Sequence, residues 1–393
     1  MKVKLGDVCE MLNGFAFRSE GYVDDGFRII RISNVQKGYI EDSSPVFYPL
    51  DSVEAKKYAL KENDLLISLT GNVGRVGILP RELLPATLNQ RVACIKIKNE
   101  SQLAKPYLFN FLNSDYFEAK CIDSSKGVAQ KNMSTEWLKE YEIPLPPLDE
   151  QRRIAAVLDK VSDLIVKRRA QLDKLDELVK ARFVEMFGDP YINSMAWKKI
   201  KIKAAVTVEP QNGMYKPQSD YVTDGSGTPI LRIDGFYDGI VTDFSSLKRL
   251  RCNDNEKQKY LLKENDIVIN RVNSIEYLGK CAHITGLIEE TVYESNMMRM
   301  HFDPVRFNPV YVAHLLCSRF VYDQVINHAK KAVNQASINQ KDVLDFDIYQ
   351  PSIERQNVFA DFVNRADQSK LTIQQSLDKL EILKKALMQE YFG

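Results

Sequence analysis

The amino-acid sequence is written twice. LDKLDELVKARFVEMFG (Leu172 to Gly188) recurs as LDKLEILKKALMQEYFG (Leu377 to Gly393) at an offset of 205 residues. Upstream, YALKEND from Tyr58 matches YLLKEND from Tyr260 at an offset of 202, and each is followed by a short apolar run, LLIS or IVIN. RISNV at Arg31 parallels RIDGF at Arg232 at an offset of 201. Chance does not keep matches in this order, and the drifting offset means small insertions in loops. The period is far longer than that of a solenoid repeat. The chain therefore folds as a tandem duplication with pseudo-two-fold character, not as one continuous core.

Within each copy the hydrophobic period changes once. Short β-rich runs such as FRIIRI, DLLISL and VACIKI alternate with Gly, Asn and Pro turns over residues 1 to about 100. PYLFNFLNSDYFEAKCI then reads as a helix with Pro106 in its first turn. After the proline cluster IPLPPL (Ile143 to Leu148), no Pro or Gly occurs until Gly188. Asp149 is a candidate N-cap, and Leu158, Val161, Ile165, Leu172, Leu175, Val179 and Met186 approximate a heptad seam interrupted by Arg168. A helix of that span is roughly 58 Å long. The second copy repeats the scheme over 351–393. One apolar stripe on a lone helix would stay wet, so the two helices pair through positions such as Leu158, Leu172, Leu175, Leu377 and Leu380. Antiparallel pairing follows because the chain must return from a globular segment between them. The expected class is α+β: two similar β-rich domains, 1–148 and 191–350, separated by two long antiparallel helices, a central one at 149–190 and a distal one at 351–393.

Other features exclude more than they select. Fifty-four basic residues meet 53 acidic ones, so bulk charge neither implies nor denies a nucleic-acid partner. No apolar run approaches the ~20 residues that cross a bilayer, and the first residues lack the apolar stretch of a secretory leader. No membrane partner is expected, and the cytoplasm is the expected location. The six scattered cysteines form no C-x-x-C pair and read as reduced thiols. Four histidines, all in the second half, show no metal-ligand spacing, so no metal is expected. GNVGRVG at Gly71 has neither dinucleotide nor P-loop spacing, and no nucleophile elbow occurs. No catalytic residue can be named.

IPLPPLDEQRRIAAVLD at Ile143 resembles the signature that follows a target-recognition domain in the specificity subunits of type I restriction-modification systems. VKLGDVCEMLNGFAF at Val3 and NDLLISLTGNVGRVGIL at Asn63 resemble segments of those domains, and WKKIK at Trp197 resembles the start of the second one. The second signature has decayed to YQPSIERQNVFADFVNRAD, keeping Gln356 opposite Gln151, and the loop after Ile269 has lost the glycine pattern of the first copy. The resemblance implies a non-catalytic subunit that reads a split sequence in double-stranded DNA, one half-site per domain. It implies recruitment of adenine methyltransferase subunits, two of them, and through these of restriction and translocase subunits. The chain itself would bind no cofactor; S-adenosylmethionine would sit in the methyltransferase, which also flips the target base. Helix length would set the spacer between half-sites about one DNA turn apart, roughly 34 Å.

Base edges are read by Arg or Lys on guanine and by Asn or Gln on adenine, while basic and hydroxyl groups hold phosphates. Three segments of the first copy have that composition: Ser68, Thr70, Asn72 and Arg75; Asn89, Gln90 and Arg91; and Lys126, Gln130, Lys131 and Asn132. The second copy offers Asn270, Arg271 and Asn273; Asn296 and Arg299; and Lys330, Lys331, Asn334, Gln335 and Asn339. A polar turn is more often plain solvated surface, so the expectation rests on the loops as groups. The alternatives are a helical protein-interaction scaffold, whose DNA contact would be weak and without sequence preference, and a recognition module belonging to a fused nuclease-methyltransferase.

Overall fold

A computed structural model describes residues 1–124, 132–241 and 243–393. The chain forms two compact units, and both boundaries fall inside long helices. One unit comprises Met1–Ala170 with Gln374–Gly393, and the other comprises Gln171–Ile373. The central helix runs from Leu148 to Phe187 and the distal helix from Ile353 to Phe392. Each unit thus holds one β-rich globule and a section of both helices. Gly188 ends the central helix at φ +78°, a left-handed position natural to glycine just past a helix end.

In the first unit a four-stranded antiparallel sheet has the order Cys9–Asn13, Val92–Ile97, Leu65–Ser68, Val76–Ile78. A three-stranded sheet beside it orders Phe47–Tyr48, Phe27–Ile30, Ala86–Leu88, the last pair parallel. Lys2–Lys4 pairs with Glu142–Pro144 and closes the globule. LLIS is apolar without alternation because both faces of its strand are covered. Leu65 and Ile67 enter the core shared with the helices, while Leu66 enters a second core with Ile30, Leu79 and Leu88.

The second unit repeats this plan. Its largest sheet orders Val206–Asn212, Met297–Phe302, Asp266–Asn270, Cys281–His283, Gly239–Val241, Phe236–Tyr237. Ile267 and Ile269 face the helix-side core and Val268 the opposite one. Lys198–Lys201 pairs with Asp347–Gln350, as the first strand of the other unit pairs with its own exit strand. The repeated KEND segment is a turn in both copies. Asn63 and Asn265 adopt φ of 65° and 69°, and Asp64 and Asp266 accept a hydrogen bond from the N–H of Lys61 and Lys263. Asparagine tolerates that left-handed region better than most side chains.

The paired helices are antiparallel within each unit. In the first, Arg169 donates to Glu381 at 2.7 Å, and Leu158 lies in the same core as Phe392 and Leu387. In the second, Lys370 meets Asp176 at 2.6 Å while the rings of Phe183 and Phe187 pack on Phe359. Leu158 and Leu377 are buried; Leu172, Leu175 and Leu380 are half-buried.

Gln151 and Gln356 explain why that position survives when its surroundings decay. Both are fully buried in the first turn of their helix. Gln151 accepts from the Ala104 N–H at 2.9 Å and donates to the carbonyls of Gln102 and Pro146. Gln356 accepts from Asn308 N–H at 2.9 Å and donates to Arg306 and Pro351. Each staples the start of a long helix to the loop before the globule's own helix. Gln151→Leu strips partners from three part-buried backbone groups, so it is expected to cost about 3 kcal/mol. A urea midpoint unchanged from wild type would contradict this.

Candidate nucleic-acid interface

The candidate loops of each unit converge at the end of its central sheet strand. In the first unit the Leu69 N–H donates to Arg91 O at 3.0 Å, and the Met133 N–H donates to Leu69 O at 2.8 Å. Thr70 bridges Asn132 across the same seam. The three segments therefore run side by side: 89–91, 68–75 and the stretch entering at Asn132. In the second unit the Arg271 N–H donates to Asn296 O at 2.8 Å, and the Ile338 N–H donates to Arg271 O at 2.9 Å. Position 69 in one copy and 271 in the other are related by the 202 offset of the KEND match. The same backbone scaffold thus gathers the loops twice.

Exposure sorts the residues. Asn72, Gln90, Arg91 and Asn132 are exposed in the first unit. Arg75 and Asn89 are half-buried, and Arg75 donates to the Gln36 side chain at 2.5 Å. Lys126, Gln130 and Lys131 lie outside the described residues. In the second unit Lys330, Lys331, Asn334 and Gln335 are exposed on a hairpin in which Lys330–Lys331 pairs with Ala336–Ser337. That hairpin adds to Val272–Asn273, making a three-stranded ribbon. Arg271, Asn273 and Asn296 are half-buried; Arg271 donates to the Ser295 carbonyl at 3.0 Å.

Five of the expected contacts have side chains that are buried or engaged within the fold. Ser68 is wholly buried and its hydroxyl donates to the Asn72 carbonyl, so it shapes the turn. Thr70 is buried at the seam with Asn132. Asn270 stands at the position of Ser68, is equally buried, and finds no side-chain partner among the described residues. Arg299 lies within its strand and donates to the buried Asp266 carboxylate at 3.1 Å, with His301 on the other oxygen at 3.0 Å. Asn339 caps the helix Gln340–Leu344, accepting from the N–H groups of Lys341 and Asp342. In Ser68, Arg299 and Asn339 the polar group is consumed within the fold, while burial takes Thr70 and Asn270 out of reach.

Beside the second cluster the fold builds a feature that sequence reasoning missed. The Lys280 ammonium lies 4.0 Å from the ring centroids of both Tyr237 and Tyr277. Desolvation lowers its pKa from the usual lysine value. Tyr277 and Lys280 stand close together in sequence, but Tyr237 is distant and only the fold brings it to them. His283 and His314 are pushed down to about 4 by burial, which keeps them neutral structural groups. Among the described residues no cluster of three or more His, Cys, Asp or Glu could hold a metal ion, and no helix is long and apolar enough to cross a membrane.

Two β-rich units of one plan, each gathering polar loops on one scaffold, define a duplicated recognition module. Residues 1–175 match the type I restriction modification DNA specificity domain. The EcoKI specificity subunit of Escherichia coli strain K12 is 23% identical over 379 residues, covering 92% of this chain and 80% of that protein. The MjaVIII specificity subunit of Methanocaldococcus jannaschii is 30% identical over 183 residues, 45% of this chain and 43% of its own. In three dimensions the chain is similar to the S subunit of a type I restriction-modification system from M. genitalium. The TM-score is 0.60 at 14% identity, covering 100% of this chain and 96% of that one. The first 175 residues thus carry that specificity domain, and over nearly its whole length the chain is similar to type I restriction-modification specificity subunits.

Proposed function

We propose that each unit reads one half of a bipartite site in double-stranded DNA through its converging loops. The long helices then recruit two adenine methyltransferase subunits and, through them, restriction and translocase subunits. In this reading the chain performs no chemistry of its own. S-adenosylmethionine belongs to the methyltransferase, and the complex works in the cytoplasm. The observation that carries this is the repetition of the loop scaffold. The seam built on Leu69 recurs on Arg271, while the side chains at matching places differ: Asn72 stands where the other unit has Ser274, and Gln90-Arg91 where it has Ser295-Asn296. A common frame with different polar tips suits two readers of different base sequences. Lys and Arg tips supply the sequence-independent phosphate attraction, and amides supply base discrimination.

The test is methylation of a randomised DNA pool by the chain with an adenine methyltransferase partner and S-adenosylmethionine, followed by mapping of modified adenines. A split motif that appears only when both proteins are present is the expected result. Modification by the chain alone would refute the non-catalytic role. No partner-dependent motif, with both proteins folded and the methyltransferase active, would favour a helical scaffold.

A further inference from the structure

The hairpin of the second unit carries an apolar side chain where a turn normally carries a polar one. The Ala332 N–H donates to the Gln335 carbonyl at 2.7 Å, closing the tip. At that tip Val333 is 99% exposed, the highest exposure of any large hydrophobic residue among those described. It touches no core, so packing does not explain it. A lone exposed apolar residue is common on protein surfaces and by itself means nothing. Two further observations make this one different.

First, the valine sits among the groups that would dock DNA. Lys330 and Lys331 are exposed on the same ribbon, and the exposed amides of Asn334 and Gln335 follow it directly. Second, the chain contains the pattern twice. Lys126-Gly-Val-Ala-Gln130 aligns with Lys331-Ala-Val-Asn-Gln335 at the 205 offset of the helix repeat, placing Val128 opposite Val333. The register is supported by structure on the C-terminal side. At that same offset Ser134 caps the helix Thr135–Glu140 and Asn339 caps Gln340–Leu344. The Met133 and Ile338 N–H groups, one residue earlier, donate to Leu69 and Arg271.

Past the third strand the hairpin tip is two chains wide, which the major groove admits, and there thymine alone offers a methyl group and adenine alone offers the donor–acceptor pair an amide can bridge. We infer that Val333 is a specificity residue that packs on the C5-methyl of a thymine in the second half-site, next to a base held by Asn334 or Gln335. This deepens the function proposed above and rests on it. Asn334 and Gln335 would fix the tip through hydrogen bonds, while Val333 distinguishes thymine from cytosine by an apolar contact that excludes water.

The test begins from the bipartite motif mapped as described above; absence of a motif would count against the proposed function and not against this step. Duplexes carrying that motif are made with uracil in place of each thymine of the second half-site in turn. Binding by the full chain with its methyltransferase partner is then measured for wild type and Val333→Ala. One position is expected at which uracil weakens wild-type binding about fourfold, the worth of one buried methyl group. Val333→Ala should bind the thymine duplex more weakly by a similar factor and lose sensitivity to uracil at that position alone. Because Val333 touches no core, the variant folds, and its unchanged affinity for unrelated DNA provides the control. Equal response of both proteins at every thymine would overturn the inference. So would a second half-site without thymine on either strand, or a loss of DNA bending in the variant with no change in uracil sensitivity, which would indicate a wedge between bases.

Discussion

Phe392→Ala is expected to unfold the amino-terminal unit selectively, although residue 392 lies at the far end of the sequence from that unit's sheets. Its ring is 4% exposed and packs edge-on against Tyr107 at 5.5 Å and Phe111 at 5.4 Å. Its counterpart in the repeat, Phe187, packs on Tyr311 at 4.6 Å and Phe359 at 5.5 Å in the other unit. The end of each long helix thus completes the core of the globule that the other long helix leaves. Truncating a buried phenylalanine to alanine costs roughly 3–5 kcal/mol through lost transfer energy and the cavity left behind. The chain has two tryptophans, Trp137 in the first unit and Trp197 in the second, so each unit carries its own reporter. In Trp197→Phe background the Trp137 transition should shift to lower urea on adding Phe392→Ala. In Trp137→Phe background the Trp197 transition should shift with Phe187→Ala and barely with Phe392→Ala. If either substitution moved both transitions equally, the two cores would not be energetically separate.

What the sequence made legible were the parts that fix the backbone. The KEND turns recur because a left-handed asparagine and a carboxylate accepting a backbone N–H are needed to enter the buried strand. Gln151 and Gln356 recur because each is itself buried and holds three backbone groups at the start of its helix. Phe187 and Phe392 recur because each fills an aromatic pocket. The recognition residues were harder to read, since composition marks polar positions without saying which are spent inside the fold. Ser68 and Asn270 looked like the first loop residues but are the last rungs of a strand buried on both faces. Arg299 has the chemistry of a guanine reader, yet its carboxylate partner is 33 residues away and only strand pairing brings them together. Asn339 could have been read correctly, because Asn339 followed by Asp342 has the spacing of a capping box, and both halves of that box are formed. Val333 escaped for the opposite reason: an apolar residue in a polar segment reads as filler until its exposure is seen.

The largest functional effect is expected from lengthening the helices. The central helix is unbroken over 40 residues and carries the boundary between the units, as does the distal helix. One turn inserted between Ala155 and Leu172, with a matching turn in the distal helix, adds ~6 Å of rise. Against ~3.4 Å per base pair along the duplex, that allows the spacer between half-sites to grow by about two base pairs at most. Neither loop cluster is touched, because the seams on Leu69 and Arg271 lie in the globules. With its methyltransferase partner, the lengthened protein should therefore direct methylation to the same two half-sites at a longer spacing and almost abandon the original target. The original spacing would force the two readers out of register, and losing one half-site forfeits several base contacts worth ~1–3 kcal/mol each. Inserting the turn in only one helix breaks the pairing of Arg169 with Glu381 or of Lys370 with Asp176, and should impair assembly on any site. Motif mapping on a randomised pool separates the outcomes. A longer spacer with unchanged half-sites supports a passive ruler. Altered bases within a half-site would mean that the helices help shape the reading loops, and an unchanged spacer would mean that helix length does not set it.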